Sequence, residues 1–319
     1  MKLNFGLINT YKQLDNIELL SNAICFHGDN LDDRGDLSLE TLNQKAIKLL
    51  NIKYDEDDFR VKIKDMDSLS YEEYLVFFKS LPYENIIIES TTLGFVEILY
   101  LLKGVKLNSN MKNIQIIYFE PQEYKFKNNS ITTYNDFQLS DRFKTFPPIP
   151  GFSIIADIYD DEEEKEEEDE DHPKIDLIAF LGFEKNRLGQ IFSSDDGATY
   201  KKFIPIIPLP GFNPGWENIT INNHLKFFKS KYNFQALEFT SANDPYNAYK
   251  QLEKISKTSN NFRVAPIGTK PNSIGCAMFM INSEDIPDIN YGILYDFPVK
   301  SKFRSKGIGK VHIYNIIKE

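Results

Sequence analysis

The chain has 319 residues, of which 41% are hydrophobic and 13% aromatic, so it can bury a sizeable core and form two domains of ordinary size. Its formal net charge is -10, but residues 160–171 alone hold eleven carboxylates and one lysine. Outside that run, 36 basic residues balance 36 acidic ones. A global acidic or basic field is therefore excluded, and the net charge selects no class of partner.

Cysteine usage and hydropathy point to the cytoplasm. The two cysteines, Cys25 and Cys276, lie inside apolar runs and form no CxxC motif, which is typical of core thiols in a reducing compartment. The chain opens without a leader pattern, and no apolar stretch approaches the roughly 18 residues that a membrane span requires. We expect a cytoplasmic protein without membrane contact.

Strand and helix patterns alternate through the first half. Ile-rich runs such as 85–89 and 114–119 predict strands, and Ser70 with Glu73 forms a capping box that starts a helix. Continuous apolar strands separated by helices are typical of a parallel sheet covered on both faces. The predicted strands are 23–26, 59–64, 85–89 and 114–119, and the predicted helices include Leu42 to Leu50, 71–78 and 96–102.

The second half repeats this order. Asp244 followed by Pro245 is a helix start, and the stretches 86–119 and 264–297 share the succession strand, small polar turn, apolar helix, strand. We therefore predict an α/β fold of two tandem Rossmann-like units, with mainly parallel sheets and helices on both faces, divided into 1–150 and 151–319. The predicted strands here are 152–159, 175–181, 203–207, a strand from 264, and 290–295; helices are expected at 222–232, 245–255 and 274–281.

Two charged segments lie outside this pattern. The acidic run 160–171 predicts a disordered, solvated insertion, because like charges at this density oppose ordering; a docking site for a basic partner is the alternative. The segment 300–310 concentrates positive charge around Phe303. It is suited either to phosphate or nucleic acid or to pairing with the acidic run, so direct nucleic-acid binding stays open.

The segment 263–275 is the most informative for function, because a strand breaks there into a small-residue turn and reopens as a helix. The first N–H groups of a helix lack intrahelical partners, the peptide dipoles add partial positive charge, and Lys270 supplies a full one. We therefore predict an anion-binding site at Gly268, Thr269 and Lys270. The helix that follows is apolar on most sides and is expected to be buried.

Other strand-end loops accompany this turn. They are 27–29, 90–94 and 182–187, and ligands of doubly wound sheets bind outside the carboxyl ends of strands. If the two units pack face to face, all these loops line one cleft. The proline-stiffened loop 205–216 carries the only tryptophan, Trp216, which is suited to stacking on a base.

The segment 267–277 resembles the Gly-Thr-Lys turn of CRISPR-associated Rossmann fold (CARF) sensor domains. In that family the turn and the loop after the first strand hold a cyclic oligonucleotide at a dimer interface. The resemblance implies that Thr269 and Lys270 contact phosphate or ribose, that 182–187 is the companion loop, and that the first half replaces the second protomer. It also implies bacterial antiviral defence and a protein partner or effector. The matching turn, Ser90 to Gly94, has no lysine, which leaves a one-sided site open.

We therefore predict a protein that binds a nucleotide or oligonucleotide signal, without a cofactor or metal and without an assigned catalytic residue. A nucleotide-processing hydrolase or ring-opening nuclease that uses His27, Asp29 or Glu184 is one alternative, and a non-catalytic scaffold of a complex is the other. GxGxxG, P-loop and GxSxG motifs are absent from the sequence. The predicted ligand-binding residues are Gly268, Thr269, Lys270, Ser90, Thr91, Thr92, Gly182, Glu184, Arg187 and Trp216.

Overall fold

The computed structural model describes residues 1–44, 48–124, 140–142, 146–152, 175–194, 200–229, 234, 236–284, 286, 289–300, 302 and 305–319. Within these ranges the chain is a mixed α/β protein with seven α-helices and two large sheets. The strands are β1 (Leu3–Tyr11), β2 (Ile24–His27), β3 (Lys48–Asp55), β4 (Arg60–Ile63), β5 (Asn85–Glu89), β6 (Asn113–Tyr124), β7 (Ser140–Arg142), β8 (Asp176–Phe180), β9 (Lys202–Pro208), β10 (Glu238–Thr240), β11 (Asn261–Pro266), β12 (Asn290–Ile293), β13 (Val299–Lys300) and β14 (Ser305–Lys318). The helices are α1 (Asp33–Gln44), α2 (Tyr71–Ser80), α3 (Phe95–Leu107), α4 (Lys185–Ser194), α5 (Trp216–Phe228), α6 (Pro245–Ser256) and α7 (Lys270–Ser283).

The first sheet is mixed and has seven strands in the order β1-β14-β6-β5-β2-β3-β4. Its centre, β6 to β3, is parallel, whereas β4, β14 and β1 each run antiparallel to their neighbours. The second sheet is all-parallel, with the order β10-β9-β8-β11-β12. A small antiparallel pair, β7 with β13, stands apart from both.

The two sheets share one core. Alternate side chains of the first sheet, such as Ile24 and Phe26, face α2, α3, α6 and α7, and so do Ile178 and Phe180 of the second sheet. The outer face of the first sheet packs under α1 around Cys25, and α4 and α5 cover the outer face of the second sheet. The alternation follows from the two-residue period of a strand. The layers are thus α1, first sheet, four helices, second sheet, α4 and α5.

Helices α3 and α7 pack against each other at the centre of this shared core. Ten of the thirteen residues of α3 and twelve of the fourteen of α7 are buried, as expected for helices that are apolar all round. Lys106 of α3 donates to the carbonyl of Ile281 on α7 at 2.7 Å. Since both helices begin at strand-end turns, their contact brings the two turns together.

Most of the predicted elements are present. The capping box of Ser70 and Glu73 starts α2, Asp244 caps α6 with Pro245 at its first turn, and the burial of α7 is confirmed. The prediction of one helix from Leu42 to Leu50 was wrong. Helix α1 ends at Gln44. Leu49 and Leu50 belong instead to β3, which pairs with β2 in parallel.

The ends of the chain depart from the expectation of mainly parallel sheets. From Ser305 the basic segment 300–310 forms part of β14, which lies between β1 and β6 in the first sheet and was not predicted as a strand. The expected division at residue 150 therefore does not separate the two sheets. The acidic run 160–171 and the expected strand from 153 onward lie outside the described residues.

Both cysteines, Cys25 and Cys276, are buried and unpaired, and burial raises the pKa of each thiol. Inert core thiols fit these surroundings. Among the described helices, none combines the length and the apolar character that crossing a membrane requires.

Candidate functional site

A cavity of about 120 Å³ lies over the carboxyl edge of the second sheet, where the first sheet meets it. The segments after all five strands of the second sheet reach it, and the first sheet adds residues from β6, α1 and the turn before α3. The volume is close to that of cavities that admit one benzene-sized body. Each of the five segments contributes to the lining, and examples in chain order are Gly182, Gly211, Ala242, Gly268 and Tyr295.

The turn after β11 forms one wall of the cavity. Thr269 is the N-cap of α7: its hydroxyl accepts from the Asn272 N–H at 3.4 Å and donates to the Ala242 carbonyl at 2.9 Å. Lys270 is the first residue of the helix, Pro271 follows it, and the first turn holds no acidic residue. The positive end of the α7 dipole is thus uncompensated by a carboxylate of its own first turn.

Two glycines allow the loops after β8 and β11 to touch. A Cβ on Gly268 would lie 2.9 Å from the Leu181 carbonyl oxygen, and a Cβ on Gly182 would lie 3.1 Å from the Ile267 carbonyl oxygen. The obstacles are backbone atoms, so neither side chain could be accommodated by a rotamer change. Both predicted site glycines therefore act through close packing of the two backbones.

Lys270 connects the two halves. Its ammonium donates to the carbonyl of Leu93 at 2.5 Å, in the turn between β5 and α3. The structure thus brings together the two turns that the sequence pattern paired. Both turns reach the cavity, the second through Gly268 to Lys270 and the first through Thr91 and Phe95.

In the turn between β5 and α3, backbone N–H groups are already hydrogen-bonded to a carboxylate of the chain itself. The Glu89 carboxylate, fully buried, accepts from the Thr91 and Thr92 N–H groups at 3.0 Å each and also from the Thr92 hydroxyl. Ser90 donates to the Ile117 carbonyl, and Thr91 accepts from the Phe119 N–H at 3.0 Å. Of the three predicted residues Ser90, Thr91 and Thr92, only Thr91 lines the cavity.

Two buried arginines face the cavity from equivalent places, each near the start of the helix that follows the first parallel strand of its sheet. Arg187 on α4 forms a buried ion pair with Asp296 and donates to the Ile267 carbonyl at 3.1 Å. Burial lowers the pKa of Arg187, but the Asp296 carboxylate, together with smaller contributions from Tyr295 and Glu184, outweighs it and the pKa is raised. Arg34 on α1 pairs with Asp32 at 3.0 Å.

Arg34 also ties three elements of the first half together. Its Nε donates to the Ser305 hydroxyl at 2.8 Å and its Nη1 to the Phe119 carbonyl at 3.1 Å. Ser305 in turn donates to Asp32. Each arginine is therefore fixed by a carboxylate before any ligand arrives, which makes it a positioned donor rather than a mobile charge.

Aromatic side chains form the wall near α5. Trp216 is half-buried and packs on Tyr124, with ring centroids 5.2 Å apart, and on the edge of Phe183 at 5.5 Å. Phe212 completes the group at 6.4 Å. The sequence pattern placed Trp216 in a loop, but in the structure it is the first residue of α5. Flat apolar walls of this kind suit an aromatic ring of a ligand.

The candidate acid-base groups are dispersed. Glu184 lines the cavity and accepts from the Ser140 hydroxyl at 3.1 Å. His27 donates to the Gly28 carbonyl at 2.9 Å, and Asp29 pairs with Lys53 at the surface. Neither His27 nor Asp29 is among the residues that line the cavity.

Several lining residues escaped the sequence analysis. Arg34 would have been found by aligning the helix after β2 with the helix after β8, which carries Arg187. Thr220 lies mid-helix in α5 and gave no signal. The aromatic additions are Phe95, Tyr118, Tyr124, Phe183, Phe212 and Tyr295.

Comparisons of the chain with protein-family models, with curated proteins and with solved structures found no match.

Proposed function

We propose that the chain is a binding protein for a nucleotide-type signal, built from two Rossmann-like units and related to CARF sensor domains. The single observation that carries the proposal is the cavity between the two sheets. It combines the N-terminus of α7, two fixed arginines and an aromatic wall in one place. These are the groups that a phosphate and a base require.

The strand order supports this location. Numbered along the chain, the second sheet has the order 3-2-1-4-5, which is that of a doubly wound dinucleotide-binding sheet without its sixth strand. In such sheets the ligand lies between the two loops where the strand order reverses. Those loops follow β8 and β11, and Gly182 and Gly268 lie in them.

The repeated strand succession supports two units. The parallel strands β3-β2-β5-β6 of the first sheet have the same chain succession as β9-β8-β11-β12 of the second. In the proposal, the first half takes the place of a second sensor protomer. Binding would then be passed to an effector partner in the cytoplasm, in bacterial antiviral defence, as the resemblance implies.

Thermal unfolding with a nucleotide panel tests the proposal. A ligand that binds only the folded state raises the melting temperature, by an amount set by its concentration over Kd. We expect a shift with at least one mono-, di- or cyclic nucleotide, and its loss in Lys270→Met. Lys106→Met is the matched control, because Lys106 also joins the two halves through α3 and α7 but lies outside the cavity lining.

The outcomes separate the three functions. A shift that persists in Lys106→Met and disappears in Lys270→Met supports the binding protein. Chromatography of the incubated nucleotide that reveals a product supports the hydrolase or nuclease instead. The absence of any shift across the panel contradicts nucleotide binding and favours the non-catalytic scaffold of a complex.

A further inference from the structure

The two strand-end turns at the cavity differ in charge. In the first, the Glu89 carboxylate occupies the Thr91 and Thr92 N–H groups. A second carboxylate, Glu97, lies in the first turn of α3 and accepts from the Tyr54 N–H at 3.0 Å. A ligand phosphate at this turn would meet two negative charges and N–H groups that already have acceptors.

The second turn carries the opposite charge. The first turn of α7 has no acidic residue, and Lys270 is its first residue. Each half also places a buried arginine at the cavity, Arg187 held by Asp296 and Arg34 held by Asp32, so the arginines do not distinguish the two sides. The helix start decides between them, and it favours a phosphate group on the side of α7.

An unsatisfied hydroxyl lies on the same side. Thr220 of α5 lines the cavity and is fully buried, and its Oγ1 has no hydrogen-bond partner in the described part of the chain. A buried polar atom without a partner destabilises the folded protein, because it has lost its hydrogen bonds to water. A ligand atom that bonds to Thr220 would remove this destabilising effect. This observation is independent of the helix terminus and points to an occupant.

The aromatic wall completes an unsymmetrical arrangement. Trp216, Phe183 and Phe212 belong to the second half, and β6 adds Tyr124 beside Trp216 and Tyr118 beside Phe212. The cavity volume, about 120 Å³, matches one ring-sized body such as a single base rather than two. A ring of nucleotides with twofold symmetry would need a second phosphate seat and a second aromatic wall.

We propose that the ligand is a single mononucleotide and not a cyclic oligonucleotide. Its phosphate lies at Gly268 to Lys270, its base lies against Trp216, and a polar atom of the base or sugar bonds to Thr220. The inference rests on the proposed function and adds the class of ligand. The first half contributes a closed wall, fixed by Glu89, and no second binding site.

Isothermal titration of the full chain tests the stoichiometry and the class. The probes are the four ribonucleoside monophosphates, inorganic phosphate, and cyclic di- and tetranucleotides. We expect one mononucleotide per chain, bound at least tenfold more tightly than either cyclic compound or phosphate. Tighter binding of a cyclic compound would overturn the inference and leave the proposed function intact. If no probe binds, the proposed function fails with it.

A matched pair of threonine variants tests the hydroxyl. Thr220→Val keeps the shape of the side chain and is expected to weaken mononucleotide binding about tenfold, because one hydrogen bond is lost. The same variant should leave the free protein as stable as the wild type or more so, since it removes an unsatisfied polar atom. Thr240→Val is the control: Thr240 Oγ1 is also buried without a partner in the described part, but it lies outside the cavity lining. Equal affinity of Thr220→Val and Thr240→Val would overturn the assignment.

Discussion

Lys270 donates from its ammonium to the carbonyl of Leu93 at 2.5 Å, across 177 positions of sequence. The bond joins the turn after β11 to the turn after β5, directly beside the cavity. It exists because α3 and α7 pack side by side with their N-termini at the same edge. One residue thus contributes both to the contact between the halves and to the charge that would meet a ligand.

Lys270→Met is expected to lower the free energy of unfolding by about 1 kcal/mol. A hydrogen bond from a charged donor contributes more than this when it is buried, but Lys270 is only half-buried and water partly replaces the bond. Urea denaturation of the ligand-free protein measures the change. Lys64→Met, at an exposed loop lysine, is the control and should change the free energy by less than about 0.5 kcal/mol. Indistinguishable curves for the two variants would show that the bond adds nothing to stability.

Arg187→Met is expected to be severely destabilising, by about 3–5 kcal/mol, because it leaves the buried Asp296 carboxylate without its partner. The double variant Arg187→Met/Asp296→Leu should recover much of the loss, since it removes both charges together. Chemical denaturation of the wild type, both single variants and the double variant gives the coupling between the two residues. Additive losses would contradict a specific pair.

The sequence carried the local information about this site and little about its distant partners. Gly268 to Lys270 and the cap at Asp244 were found because a strand, a turn and a helix start each have short-range signals. Arg187 was found as a loop residue, but its bond to Asp296 spans 109 positions and depends on how β12 ends. The Glu89 carboxylate was missed because nothing in its neighbours reveals that the turn folds back onto it.

The difference between short-range signals and distant partners also explains which strands could be predicted. Apolar periodicity predicted the central parallel strands, which are buried on both faces. β1 and β14 were missed because their polar and apolar residues mix, as in the burial pattern of β1. Their position in the first sheet is set by pairing with each other and with β6, which is information that only the folded chain contains.

Glu89→Gln is expected to lower the free energy of unfolding by about 2 kcal/mol. The amide group of glutamine would place an N–H donor where the carboxylate now accepts from the N–H groups of Thr91 and Thr92. Guanidinium denaturation measures the loss, and Glu18→Gln at an exposed position is the matched control. A variant as stable as the control would show that the turn does not depend on the carboxylate charge.

His224 gives the protein a pH-dependent stability. It is fully buried in α5, its Nδ1–H donates to the Thr220 carbonyl at 2.8 Å, and its Nε2 has no partner in the described part of the chain. Burial lowers its pKa from 6.5 to about 4, which the bond to Thr220 offsets only in part. The unfolded chain therefore binds a proton near pH 6.5, whereas the folded protein binds it only near pH 4.

The free energy of unfolding should consequently fall as the pH drops from 6.5 to 4, and His224 should account for up to about 3 kcal/mol of the loss. Above pH 7 the titration of His224 should have no effect on stability. His224→Gln removes the titrating group and keeps a donor for the Thr220 carbonyl. Urea denaturation at intervals from pH 7.5 to 4 should give a steeper loss for the wild type than for the variant. Parallel curves for the two proteins would mean that His224 is protonated at its ordinary pH in the folded state, and that the α5 core around Thr220 admits the charge.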